Sequence, residues 1–338
     1  MATALHSQSS DLQTPVFIAG PTAVGKSGIA MFLAQQLGGE IISVDSMQVY
    51  RGLDIGTAKP SPADRARVPH HLIDICGLSE SFDVAQFVRR AQAAVTDLQS
   101  RRRVPIFCGG TGLYFKAWLS GLGEAPSANP VLRAELEAMP FEALLRELHE
   151  SDPRTYENID KQNPRRVIRA VEVIRLTGKP FSAQRAEWQK EKSEPSHRDD
   201  QTAQLAAPAK PNVFCLTRPA ADLVARINAR VDQMFQRGLV DETRALLQSG
   251  LEQNKTAMQA IGYRQVVEHL HGERSLAETI ELVKMRTRQF AKRQLTWFRR
   301  YGNCRWLELP PGESIEVSAQ RIRGNGWESR GTGTTVQT

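Results

Sequence analysis

The chain has 338 residues, of which 41% are hydrophobic and 24% charged, enough for one large core plus a smaller satellite. No apolar run approaches the ~18 residues of a bilayer span. The N-terminal stretch MATALHSQSSDLQT has neither a basic start nor an apolar centre, so a membrane role is excluded and a cytoplasmic location is expected. The four cysteines, Cys76, Cys108, Cys215 and Cys304, are scattered without a Cys-x-x-Cys pair, and read as reduced and non-catalytic. The adjacent His70 and His71 rarely reach one metal, which makes packing or capping their expected role. The net charge of +7 matters only where the charges cluster.

In chain order, VFIA (16–19), IISV (41–44) and VPIFC (104–108) are short apolar runs between segments of helical period, such as Phe87, Ala91, Val95 and Leu98. This alternation predicts an α/β fold with a parallel sheet covered by helices. From about Pro126 the strand pattern stops. VLRAELEAM, FEALLRELHE and PRRVIRAVEVIRLTG predict three helices punctuated by prolines. The expected organisation is a core α/β domain over 12–122, an all-helical insertion over 123–192, a flexible polar linker over 193–211, the second part of the core over 212–310 and a C-terminal tail over 311–338, frayed in its last stretch from Ile322.

Gly20-Pro21-Thr22-Ala23-Val24-Gly25-Lys26-Ser27 follows a predicted strand and precedes a predicted helix, the setting in which this spacing makes a P-loop. Its backbone N–H groups and helix N-terminus suit a polyphosphate, Lys26 neutralises phosphate charge and Ser27 can ligate Mg²⁺. ATP-binding is the first idea such a loop suggests, but any compact diphosphate fits, and VPIFC runs into Gly109-Gly110-Thr111-Gly112 rather than into an acidic metal ligand. The carboxylate appears instead as Asp45, at the carboxyl end of IISV, where α/β sheets bind ligands. There it can ligate Mg²⁺ through water or accept a proton.

GPTAVGKS, VDSMQVYRGLDIGTAK, PHHLIDI, GGTGLYFKA, IGYRQ and RQFAKRQLTWFRR, in this order over Val16 to Arg300, closely resemble the bacterial tRNA dimethylallyltransferases. The resemblance implies a P-loop NTPase-like fold and transfer of a dimethylallyl group from dimethylallyl diphosphate to the exocyclic N6 of the adenine next to the anticodon. It further implies that Thr22 to Ser27 wrap the donor diphosphate, with Mg²⁺ between Ser27 and the phosphates. Asp45 is then the general base, and Thr111, Arg226 and Arg288 stabilise the leaving diphosphate. Arg226 is placed there mainly by position. The adenine must leave its stack to reach such a site, with Asp45, Ser46, Met47, Gln48 and Thr111 against it.

Residues 284–300, KMRTRQFAKRQLTWFRR, carry seven basic side chains and no acidic one. At 100° per residue Phe290, Ala291, Trp297 and Phe298 share an apolar arc, and Arg286, Arg288, Lys292, Arg293, Arg299 and Arg300 the other. So many like charges on one face favour a polyanion, read through its phosphates. Within the resemblance, the tRNA contacts are Lys292, Arg293, Gln294, Leu295, Thr296, Trp297, Phe298 and Arg299 on this helix. Others are Arg165, Arg166, Val167, Ile168 and Arg169 in PRRVIRA, Arg133, and Gln259, Ala260, Ile261, Gly262, Tyr263 and Arg264 in QAIGYR. The helical insertion would clasp the anticodon stem-loop. The expected state is a monomer, and the lack of a zinc-ligand set after the core favours the bacterial type. A P-loop small-molecule kinase leaves the basic helix unexplained, an adenylate isopentenyltransferase has no need of the insertion, and a non-enzymatic RNA-binding module leaves Asp45 without a role.

Overall fold

Successive side chains of a strand point to opposite faces, and the first strand, β1 (Val16–Ala19), buries both. Val16 and Ile18 pack with Ile29, Ala30 and Leu33 of helix α1 (Lys26–Leu37), whereas Phe17 and Ala19 belong to the core on the other face. The computed structural model describes residues 14–122, 126–183, 213–302 and 304–324. The predicted linker over 193–211 lies outside them, as does 325–338 of the predicted tail.

After α1 come β2 (Glu40–Val44), α2 (Pro62–Arg67), β3 (His70–His71), α3 (Val84–Ser100), β4 (Pro105–Gly109) and α4 (Gly112–Ser120). Then follow α5 (Pro130–Ala138), α6 (Phe141–Ser151), α7 (Pro153–Asn158) and α8 (Pro164–Thr177). The remaining elements are β5 (Val213–Thr217), α9 (Ala220–Gln236), α10 (Leu239–Gln248), a short 3₁₀ turn over Ala257–Gln259, α11 (Tyr263–Leu270), α12 (Leu276–Tyr301), β6 (Arg305–Glu308) and α13 (Ile315–Gly324).

The six strands form one parallel sheet in the order β3-β2-β4-β1-β5-β6, the α/β class expected from the sequence. Helix α3 covers one face through Phe87, Ala91, Val95 and Leu98, the four positions whose period predicted it. β4 pairs with both β2 and β1, so the carboxyl ends of these three strands lie side by side. Such an edge is where open α/β sheets gather ligands.

The chain divides into two units, Met1–Leu119 with Pro208–Thr338, and Ser120–Ala207. Helices α5 to α8 make up the described part of the second unit around Leu136, Leu144, Leu148, Val167, Ala170 and Val171. Asn129 and Asn163 cap α5 and α8 ahead of Pro130 and Pro164, so prolines that break the pattern within the sequence begin helices here.

Four features depart from expectation. β3 arises at His70 and His71, for which packing or capping was expected and no strand: the His71 ring meets the buried Glu40 carboxylate at 2.7 Å, and His70 meets the Val68 carbonyl at 2.7 Å. β6 carries exposed Arg305, Trp306 and Glu308, which hides its strand pattern. α7 is an additional short helix. α13 gives the first part of the predicted 311–338 tail a helix, because Ala319 and Ile322 are buried in the same core as α1.

Candidate active site

The turn from β1 into α1 is the loop predicted from the sequence to hold phosphate. Gly20 has φ of 143°, and a Cβ there would stand 2.7 Å from the Leu216 carbonyl oxygen, so only glycine lets the loop leave β1 against β5. Ala23 holds a left-handed φ of 64°, which curls the loop without glycine. Lys26 opens α1, and its ammonium donates to the Pro21 carbonyl at 2.7 Å. Burial lowers the Lys26 pKa to about 8, with the neighbouring Arg230 acting in the same sense and Cys108 and Asp45 opposing it. Ser27 is exposed beside it. Cys108 beneath the loop is buried, which pushes its thiol up to about 11 and leaves it protonated, in keeping with a non-catalytic cysteine.

Three arginines bind the loop from the β5–α9 side. Arg218 donates from Nε to the Val24 carbonyl at 2.7 Å, and Arg226 from Nε to the Ala23 carbonyl at 3.0 Å. Arg230 lies one turn further along α9, with Nη1 3.5 Å from the Thr22 hydroxyl. Burial, and then the like charge of Arg226, lower the Arg230 pKa. Arg226 thus stands where position alone put it. Arg230 and Arg218 were not foreseen, although the spacing of Arg226 and Arg230 was a legible signal of one helical face. Arg288 on α12 donates to Asn228 Oδ1 at 2.7 Å, which ties it to α9.

Asp45 follows β2 directly, and its Oδ1 accepts from the backbone of Met47 at 2.8 Å and Gln48 at 3.3 Å. Among the described residues Oδ2 has no hydrogen-bond partner, so one carboxylate oxygen is anchored and the other is available. Thr111, just past β4, donates its backbone N–H to the Val44 carbonyl at 3.2 Å, and its hydroxyl accepts from Ser46 N at 3.2 Å. Asp45 and Thr111 therefore share one corner beside the phosphate loop.

The segment after Asp45 is held from behind. Gln48 accepts from Ser43 Oγ at 2.8 Å and donates to the Thr57 carbonyl at 3.1 Å, so its amide is engaged within the fold. Glu242 accepts from Ile55 N at 3.0 Å, and the Tyr263 hydroxyl donates to Glu242 at 2.6 Å while accepting from Gly56 N at 3.0 Å. The Lys59 ammonium, 2% exposed, joins Asp54, Asp74 and the Tyr50 carbonyl.

These contacts correct several of the predicted RNA-facing residues. Tyr263 and Ala260 lie in the core, because the Tyr263 ring and hydroxyl brace the Asp45 segment from inside. Gly262 is buried at the start of α11, and Ile261 is half-buried. Val167 and Ile168 pack inside the helical unit. On α12, Ala291, Gln294 and Phe298 are buried, Leu295 is half-buried, and Phe290 is only partly covered, so the apolar arc is rotated from the one drawn on the sequence. Trp297 is half-buried and stacks on Tyr301 at 5.5 Å. Lys292, Arg293, Thr296, Arg299 and Arg300 are exposed, as are Gln259 and Arg264, the last paired with Glu268 at 3.0 Å.

In the helical unit Arg165 and Arg166 are exposed, whereas Arg133 and Arg169 reach the fully buried Glu172 at 2.6 and 2.7 Å. Glu172 also accepts from Asn129 N at 2.9 Å. Burial raises the Glu172 pKa, but the bonds from Arg169, Arg133 and Asn129 outweigh it and hold the carboxyl below its ordinary value.

Residues 48–301 match a family model described as IPP transferase. The tRNA dimethylallyltransferase 1 of Citrifermentans bemidjiense is 43% identical over 295 residues, covering 87% of this chain and 92% of that protein. The tRNA dimethylallyltransferase of Geobacillus thermodenitrificans is 44% identical over 312 residues, covering 91% and 94%. Among solved structures, the full-length tRNA isopentenylpyrophosphate transferase of Bacillus halodurans has a TM-score of 0.65 at 39% identity, with 93% of this chain and 95% of that one covered. A eukaryotic dimethylallyltransferase acting on tRNA has a TM-score of 0.71 at 27% identity, with 92% and 78% covered. On the strength of a family match spanning most of its length, and of relatives this similar over nearly their whole chains, the protein belongs to the IPP transferase family.

Proposed function

We propose that the chain is a tRNA dimethylallyltransferase, moving a dimethylallyl group from dimethylallyl diphosphate to the exocyclic N6 of the adenine next to the anticodon. The observation that carries the reading is a cationic phosphate loop after β1 together with a carboxylate after β2 whose Oδ2 is open, on strand ends separated by β4 alone. A kinase could use both, but it leaves the exposed cations of α12 without a role. The names of the relatives supply the acceptor class.

In this reading the loop amides and Lys26 hold the donor diphosphate, and Arg226 and Arg230 share the negative charge that grows on it as the carbon–oxygen bond breaks. The electron pair of that bond leaves with the diphosphate. The N6 lone pair is delocalised into the adenine ring and is a weak nucleophile; Asp45 accepts the N6 proton as the new nitrogen–carbon bond forms. Thr111 holds Ser46, and with it the turn that aims Asp45. Arg288, tied to Asn228 on α9, is the further candidate for stabilising the leaving diphosphate. Ser27 would hold Mg²⁺, which supplies charge neutralisation of the diphosphate when bound. Among the described residues no group of three or more His, Cys, Asp or Glu side chains is placed to hold a metal. Such an ion would be held by the exposed Ser27 together with oxygens of the donor and water.

The exposed Lys292, Arg293 and Arg299 suit an RNA backbone, as do Arg165 and Arg166, while Glu172 keeps Arg133 and Arg169 in fixed geometry. No helix among the described residues is long and apolar enough to cross a membrane. The test offers labelled dimethylallyl diphosphate with bulk tRNA or AMP as acceptor, and γ-labelled ATP as a competing donor. Label is expected on tRNA alone. Label on AMP would favour an adenylate isopentenyltransferase, and phosphate moving from ATP would favour a kinase.

A further inference from the structure

Helix α12 presents exposed cations along 292–299, yet one polar side chain in that run is buried. Gln294 is 7% exposed and makes two hydrogen bonds to backbone from distant parts of the chain. Its Oε1 accepts from Thr22 N of the phosphate loop at 2.9 Å, and its Nε2 donates to the Gly110 carbonyl at 3.0 Å. A Cβ on residue 110 would stand 2.1 Å from Nε2, so the approach requires glycine there. Gly110 adjoins Thr111, whose hydroxyl accepts from Ser46 N beside Asp45. One amide thus links the loop after β1 to the loop after β4, and through Thr111 to the turn after β2.

A glutamine suits this place because both ends of its amide are needed. Thr22 brings a donor and Gly110 an acceptor, and a planar group with an oxygen and a nitrogen side by side satisfies both. A purely apolar side chain would fill the space and leave both backbone groups buried without partners. The neighbours on α12 share none of this: Lys292, Arg293 and Thr296 are exposed.

We propose that Gln294 is a positioning residue for the donor end of the site, setting the conformation of the phosphate loop at Thr22 and its separation from the Thr111–Asp45 corner. The proposal rests on the prenyl-transfer reading for its meaning, because it assigns to Gln294 a role in holding the diphosphate. It departs from the resemblance, which put residue 294 among the RNA contacts.

The test compares Gln294→Met with a double variant of the outward pair, Lys292→Ala and Arg293→Ala. Each full-length protein is titrated calorimetrically with inorganic diphosphate and, separately, with tRNA by filter binding. For Gln294→Met the expected result is at least ~10-fold weaker diphosphate binding and a matching rise in KM for dimethylallyl diphosphate, since small misplacements of a binding group have large effects. Its tRNA affinity stays within about twofold of wild type, because no RNA contact is removed. The double variant gives the opposite pattern, with the loss in tRNA binding. Where circular dichroism shows Gln294→Met unfolded, Gln294→Glu keeps the length and the acceptor for Thr22, loses the donor to Gly110, and is judged by the same two titrations. Unchanged diphosphate binding in a folded variant, or a loss confined to tRNA, would overturn the proposal. Neither titration needs turnover, so absence of transfer by the wild type would count against the proposed function alone.

Discussion

At Lys26 a single ammonium reports on the state of the phosphate loop. Burial lowers its pKa to about 8, so in the free protein the charge is complete below that value and is lost as pH rises through it. A bound diphosphate favours the ammonium and raises the pKa again. Diphosphate binding near pH 8 is therefore expected to take up part of a proton, and affinity is expected to fall as pH climbs above 8. Calorimetry in buffers of different ionisation enthalpy measures this uptake, which Lys26→Met should abolish. The arginines of α9 behave differently, since a guanidinium keeps its proton throughout and contributes a fixed charge. Arg226 was legible as a candidate because it lay in the right helix; Arg230, one turn on, was passed over although the same helical spacing carries it to Thr22.

Helices α8 and α12 hold the charge proposed to meet RNA in two ways. On α8 the buried Glu172 binds Arg133 and Arg169 and keeps them from collapsing onto other partners. Its carboxyl is held below the unfolded value of 4.5, so its contribution to stability is complete above that pH and disappears as pH falls through the lower, folded value. Glu172→Ala, which strands two half-exposed guanidinium groups and the Asn129 amide, should cost about 1–3 kcal/mol. A lowered urea midpoint together with weaker tRNA binding would bear this out, and an unchanged midpoint would not. On α12 Lys292, Arg293 and Arg299 are exposed. Replacing Lys292, Arg293 and Arg299 singly by Ala should each lower the slope of log affinity against log salt by about 0.7 to 0.9 for every phosphate contact removed, with little change between tRNA species. A variant that leaves the slope unchanged does not contact phosphate.

Across the whole molecule, what the sequence revealed follows from how local each signal is. β1, β2, β4 and β5 were readable because strands buried on both faces are continuous apolar runs. β6 was hidden because three of its four residues are exposed at the sheet edge, and α13 because its buried positions, Ala319 and Ile322, are too few to set a period against the Gly- and Thr-rich residues that follow. Asp45 was placed correctly at the end of β2, since a strand end is a local property. The inward roles of Gln294 and Tyr263 were not legible, because each depends on a partner more than 180 residues away in sequence. A helical wheel records which residues share a face and nothing about what the face meets. The division of labour that emerges, with the phosphate loop holding what leaves and Asp45 acting on what arrives, is tested most directly by Asp45→Asn. The substitution keeps the acceptor oxygen for Met47 and Gln48 and removes the basicity. Single-turnover transfer from dimethylallyl diphosphate to tRNA is expected to slow by at least ~10²-fold, the lower scale of general-base effects, while tRNA and diphosphate affinities stay within about twofold of wild type. Transfer at the wild-type rate would contradict the assignment of Asp45 as the base.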